Sequence, residues 1–206
     1  MIKLFFILLI FVHSSWSAGF EQQVIDHLNN WRSHFALNRR VSNMHEMVYD
    51  RSLEVEAKKF GNTKRDETDQ KMRNNGVTHY LASNNKELQL DDFLKKAFDT
   101  RMSYLTRTGI SPHGVATSLT LKLKGFDASQ MIWAKASRVG CYINRWLVGQ
   151  QHFMTLTCKF NVGARVAQHV GIIGKACSRC ENGEQCNQRT GLCGTTLNAP
   201  VWTPRG

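Results

Sequence analysis

Past residue 17, the 206-residue chain has no segment approaching the roughly 20 apolar residues that cross a bilayer as a helix, which sets aside a helical membrane-spanning body. It has no Asn-x-Ser/Thr sequon, so no N-linked glycan is expected. Internal repeats and low-complexity tracts are absent, which leaves a purely structural matrix protein without positive support. Tight runs of lysine and arginine are also absent although the net charge is +11, so any attraction to anions is spread over a surface. Acidic residues are scarce in one half only. Residues 18–100 hold 13 basic and 13 acidic side chains, whereas residues 101–206 hold 13 basic against Asp127, Glu181 and Glu184, an excess of +10.

That asymmetry attracts anionic partners through its summed field. Outside a cell these are sulfated glycans, acidic proteins or anionic lipid headgroups, and nucleic acid is set aside by location. The alternative is a solvated basic surface with no specific partner. A diffuse field of this kind gives salt-sensitive binding, here expected to run through Lys122, Lys124, Arg138 and Arg145 rather than through Arg39, Arg40, Lys58 and Lys59.

The outside location rests on the first residues. Lys3 precedes an unbroken apolar run from Leu4 to Val12, and small residues stand at Ser15 and Ser17. This is the layout of a secretory signal peptide, with cleavage expected after Ser17. Six cysteines follow, an even number suited to an oxidising compartment, so all six are expected to pair. Spacing alone leaves fifteen connectivities open. Cys177-x-x-Cys180 could also begin a zinc knuckle, but no second Cys-x-x-Cys accompanies it.

Hydrophobic periodicity predicts an amphipathic helix over residues 21–36, with Val24, Ile25, Leu28, Trp31 and Phe35 on one side. Asp50 caps a second helix carrying Leu53, Ala57 and Phe60, stopped by Gly61. Residues 62–75 read as a polar loop. A third helix opens at Asp91 or Asp92 and bears Phe93, Leu94, Ala97, Phe98 and Met102. Alternation then predicts a strand over residues 116–121. Asp127 and Gln130 have capping-box spacing for a short helix through Trp133. Strands are expected over residues 139–144 and 153–160, joined by a loop containing Gly149. Helices first and strands later indicate an α+β fold. The end of the chain has few large apolar residues and needs its cysteines as staples.

Several pieces now stand in an ordered set: Asn29-Asn30-Trp31-Arg32; Met44 to Asp50; Ser129-Gln130-Met131-Ile132-Trp133 followed by Val139-Gly140-Cys141; Thr155-Leu156-Thr157-Cys158; and the cluster of Cys177, Cys180, Cys186 and Cys193. The set resembles the CAP superfamily of cysteine-rich secretory proteins, venom allergens and pathogenesis-related proteins, in its invertebrate venom-allergen-like branch. The first piece is similar to the family's His-Asn-x-x-Arg, with Leu28 where histidine is usual. The resemblance implies a three-layer α-β-α sandwich with a short disulfide-stapled C-terminal extension. It divides the chain into a signal peptide (1–17), a CAP domain (18–170) and a cysteine-rich hinge-like extension (171–206). It also implies the pairings Cys141–Cys158, Cys177–Cys186 and Cys180–Cys193.

Many members of that family hold two histidines and two acids around a cleft that can take zinc. By resemblance, this chain has Asp127 for one histidine, Asn84 for one acid and a position near Thr100 for the other. His79 and Asp127 are left as a residual cleft. Two ligands do not make a zinc site, and nothing supplies a nucleophile or an oxyanion site. The expectation is therefore a secreted binding protein with no enzymatic activity, metal or other cofactor, acting on an extracellular protein, polyanionic glycan or lipid. The alternatives are a metal-assisted hydrolase in the same cleft, or a structural extracellular domain.

Overall fold

The computed structural model describes residues 2–61, 76–107, 125–165, 168–181 and 183–194. Helix α1 runs Ile2–Asn38, β1 is Val48–Tyr49, α2 is Arg51–Gly61 and β2 is Val77–Asn84. Helix α3 is Leu90–Arg107, α4 is Gly125–Met131, β3 is Arg138–Val148 and β4 is Gln151–Phe160. Two short strands, β5 (Gln185–Asn187) and β6 (Leu192–Gly194), close the described chain.

The main sheet has the order β1-β3-β4-β2, with β1 parallel to β3 and the other pairs antiparallel. Helix α2 covers one face. The core lies on the other face, where Tyr80, Ile143, Leu156 and Cys158 of the sheet meet Leu28 of α1, Phe98 of α3 and Met131 of α4. The fold is thus the expected three-layer α+β sandwich. Five apolar residues placed on one stripe of α3 (Phe93, Leu94, Ala97, Phe98 and Met102) are all buried. Each of the larger ones contributes on the order of 1.5–3 kcal/mol.

Two residues of α1 explain the Asn-Asn-Trp-Arg piece. The Asn29 side chain donates to Met47 O at 3.0 Å and accepts from Met47 N at 2.8 Å, so it acts as a strand partner for an irregular segment. Arg32, fully buried, donates to the carbonyls of His45, Met131, Trp133, Ala134 and Ala136.

The disulfides are Cys141–Cys158, Cys177–Cys186 and Cys180–Cys193, the three pairings that the resemblance implies. The C-terminal extension is docked as well as stapled. Cys193 N donates to Met44 O at 2.8 Å, and Glu46 N donates to Cys193 O at 2.7 Å. Leu192, fully buried, joins the main core, so the extension shares that core in place of building its own.

Some elements differ from the sequence reading. Helix α1 begins well before residue 21, because the apolar run ahead of it contains no proline, and no glycine before Gly19, to break the helix. Residues 145–148 and 151–152 are strand, so β3 and β4 form a long hairpin closed by the two residues Gly149 and Gln150. Strand β2 was not expected at all. Helix α4 begins at Gly125, so Asp127 is its third residue rather than its cap, and it ends before Trp133. Gln130 does not reach back as a capping box; its Oε1 accepts from Ala164 N at 2.8 Å. The loop over residues 62–75 and the strand over residues 116–121 lie outside the described residues.

Candidate functional site

Directly opposed residues of an antiparallel ladder share a face, and neighbours along a strand alternate. His79 is opposite Thr157, which is opposite Tyr142. The His79 ring meets the Thr157 hydroxyl, Nδ1 to Oγ1, at 2.8 Å. Gly61, the last residue of α2, sits against Tyr142 and Thr157, so this face is the one α2 covers. Tyr80, Leu156 and Ile143 point the other way, into the core shared with α1, α3 and α4. The sheet therefore stands between the His79 ring and α4, the helix that carries Asp127. Helix α4 does pack against β2, and the Asp127 side chain lies outside the described residues. Asn84 is exposed at the far end of β2 opposite His152, and Thr100 is exposed on α3.

A residue that the sequence reading counted only as one more positive charge occupies the junction of α3 and β2. Arg101 is buried, donates through Nη1 to Ala97 O at 2.9 Å, and donates through Nη2 to the His79 carbonyl. Its guanidinium lies 4.9 Å over the Tyr80 ring, which itself rests on Phe93 at 5.4 Å. Such a cation–π contact contributes about 0.5–2 kcal/mol. A fixed guanidinium here repels a divalent cation, so the residues present do not fit a zinc site between α3 and β2. Among the described residues, one trio of His, Cys, Asp or Glu side chains has converging ligand atoms: Cys177, Cys180 and Cys193. All three are in disulfides, which removes the zinc-knuckle alternative.

Residues 128–180 contain no Asp or Glu and seven Lys or Arg. This stretch builds the β3–β4 hairpin and an open hollow of about 490 Å³ beside it in sequence. Lys135, Arg165 and His169 line the hollow with Trp133, Val162 and Ile172, and among the described residues no carboxylate does. Backbone pairing shapes it: Ala134 N donates to Val170 O at 2.8 Å, and Ile172 N donates to the Asn43 side chain at 2.7 Å. Gly171 fits only as glycine, since a Cβ there would come within 2.5 Å of Val41. Of the four cations expected to meet anions, Arg138 is instead paired with Asp50 at 2.9 Å. Arg145 is exposed, and Lys122 and Lys124 lie outside the described residues.

No curated protein sequence matches the chain. Among solved structures it is similar to the hookworm platelet inhibitor, with a TM-score of 0.67, 20% identity, and coverage of 87% of this chain and 92% of that one. It is also similar to NaASP2 with Zn2+, with a TM-score of 0.65, 19% identity, and coverage of 84% and 94%. A third is the Ancylostoma-secreted protein Ac-ASP-7, with a TM-score of 0.56, 19% identity, and coverage of 87% and 91%. These likenesses show the fold. The family model described as "CAP: Cysteine-rich secretory protein family" matches residues 25–160, well over half of the chain. The chain belongs to the cysteine-rich secretory protein (CAP) family.

Proposed function

We propose that this is a secreted CAP-domain binding protein without enzymatic activity, acting on an extracellular polyanionic ligand. In this reading residues 1–17 are removed, and the CAP domain over residues 18–170 carries the extension over residues 171–206. The acid-free stretch over residues 128–180 carries the proposal. Of its seven cations Arg138 is paired with Asp50 from outside the stretch; the stretch itself holds no carboxylate, so it carries a net positive field, and it supplies both an exposed hairpin and an open hollow.

Heparin is the direct probe. Neutralising Lys135, Arg145 and Arg165 together to glutamine is expected to lower affinity roughly tenfold and flatten its salt dependence. Neutralising Arg39, Arg40, Lys58 and Lys59 is expected to matter less. Equal losses from both sets, or no retention of the wild type at low salt, would return the charge to a solvated surface.

A metal-assisted hydrolase is the competing reading, favoured by one structural relative whose name carries zinc. The Arg101 guanidinium and the separation of His79 from α4 by the sheet speak against it. Protein recovered from culture medium is expected to begin at Ala18 and to hold no stoichiometric zinc after dialysis. One zinc per chain, lost on His79→Ala, would restore the hydrolase. Retention in cells with Met1 intact would overturn secretion.

A further inference from the structure

The β3–β4 hairpin ends in a tip that neither helical layer covers. Trp146 is 39% exposed, Leu147 59% and Val148 60%, three consecutive large apolar residues. Alternation sends Trp146 and Val148 to the α2 face and Leu147 to the opposite face, so β3 puts apolar side chains on both faces of the tip, beside the polar Gln150, Gln151 and His152. Trp146 is stacked on its cross-strand partner Phe153 at 5.4 Å, which fixes the indole in place. The ladder is closed to the last pair, Val148 with Gln151, leaving only Gly149 and Gln150 in the turn.

We propose that this tip inserts into the interfacial layer of an anionic lipid bilayer. The proposal rests on the reading of residues 128–180 as an anion-facing surface and names a partner for one part of it. A convex tip that is apolar on both faces suits a fluid interface, whereas a partner pairing along the β3 edge would mainly contact backbone. Beyond Val139 the outer edge of β3 has no partner among the named strands, so its backbone groups hold the tip at the hydrated interfacial level and out of the hydrocarbon. Tryptophan is enriched at membrane interfaces, where its ring is apolar and its N–H stays wet.

Dimensions and charge agree. Arg145 stands three residues before Val148, or about 10 Å at the rise of a strand, and interfacial elements bury about 5–10 Å deep. With the tip inserted, Arg145 lies at the level of the phosphates. His152 stands opposite Leu147. Glu87 and Leu88 line the hollow beside the tip, and Glu87 is offset by the adjacent Lys86, so that loop adds no net charge.

The test is flotation of the mature protein with vesicles of phosphatidylcholine containing 30 mol% phosphatidylserine, against phosphatidylcholine alone. Binding is expected to the anionic vesicles. Replacing Trp146 and Leu147 together with serine is expected to weaken it at least tenfold, and Arg145→Gln severalfold. Brominated phosphatidylcholine mixed into the anionic vesicles is expected to quench tryptophan emission in the wild type. Trp146→Phe should bind but lose most of that quenching. The Trp146/Leu147 variant should still bind heparin, which separates this proposal from the glycan reading: lost heparin binding with vesicle binding intact would sink the glycan reading alone. Vesicle binding unaffected by the tip substitutions, or no vesicle binding while heparin is held, would overturn the tip's role. So would a wild-type dimer that the same substitutions dissolve without any vesicle binding.

Discussion

Replacing Arg32 with methionine is expected to destabilise the protein by about 4 kcal/mol or more, a large part of the roughly 5–15 kcal/mol that holds a domain folded. Arg32 has no carboxylate partner among its contacts. Its charge is met by five carbonyl dipoles at 2.7–3.2 Å, from His45 and from the turn between Met131 and Ala136. Burial pulls its pKa down to about 9, still above physiological pH, so the guanidinium stays charged and every N–H donates. Methionine fills much of the same volume but donates nothing, and each buried acceptor left alone costs about 1–3 kcal/mol. Lysine reaches fewer acceptors and should fall between the two. Urea unfolding with the disulfides intact measures the effect. A methionine variant within 1 kcal/mol of wild type would show that water replaces the guanidinium at little cost. If that variant is not recovered, Arg32→Lys tests the same point: wild-type stability in it would overturn the account.

The stripes that bury α1 and α3 were legible because each needs only its own local periodicity, and the α2 cap because Asp50 acts within two residues: its Oδ1 accepts from Ser52 N at 2.8 Å. The disulfides were legible only through resemblance, since spacing alone left every pairing open. His79 was a different problem. Its residue type suggested a cleft ligand, but its direction depends on the register that sets it opposite Thr157, 78 residues away. The clue to β2 lay in Val77-Thr78-His79-Tyr80-Leu81, a run rich in β-branched and aromatic residues after Gly76. Arg101 could not be distinguished from its basic neighbours because the Ala97 and His79 carbonyls it meets have no sequence signature, and Tyr80, under its guanidinium, is 21 residues away. The hairpin tip was hidden for a related reason: Trp146, Leu147 and Val148 look like core residues until the layers are seen to stop short of them.

Gly140→Ala is expected to be the most damaging single-methyl addition in the sheet, at about 3 kcal/mol or more, the upper end of overpacking costs. A Cβ at Gly140 would stand 2.0 Å from Glu54 N, 2.5 Å from Asp50 O and 2.5 Å from Leu53 C. All three are backbone atoms at the start of α2, so no side chain can swing aside and the helix must lift. Lifting it strains the hydrogen bond from Asp50 N to Val139 O at 2.8 Å and the Arg138–Asp50 ion pair. It also disturbs the Tyr49 hydroxyl, which donates to the Cys141 carbonyl at 2.9 Å and lies 3.0 Å from Glu54. Burial pushes that phenol well above its ordinary pKa, so it remains protonated and able to donate throughout the physiological range. The glycine before Cys141 is thus the contact that lets α2 lie directly on β3. Gly149→Ala is the control: no atom lies within 4 Å of its Cβ position, and only the φ of +61° opposes it, at about 1–2 kcal/mol. Hydrogen exchange separates the two mechanisms. In Gly140→Ala the amides of α2 should exchange faster than those of α3, while Gly149→Ala should leave α2 unchanged. Equal protection of α2 in both variants would mean that the helix does not rest on Gly140.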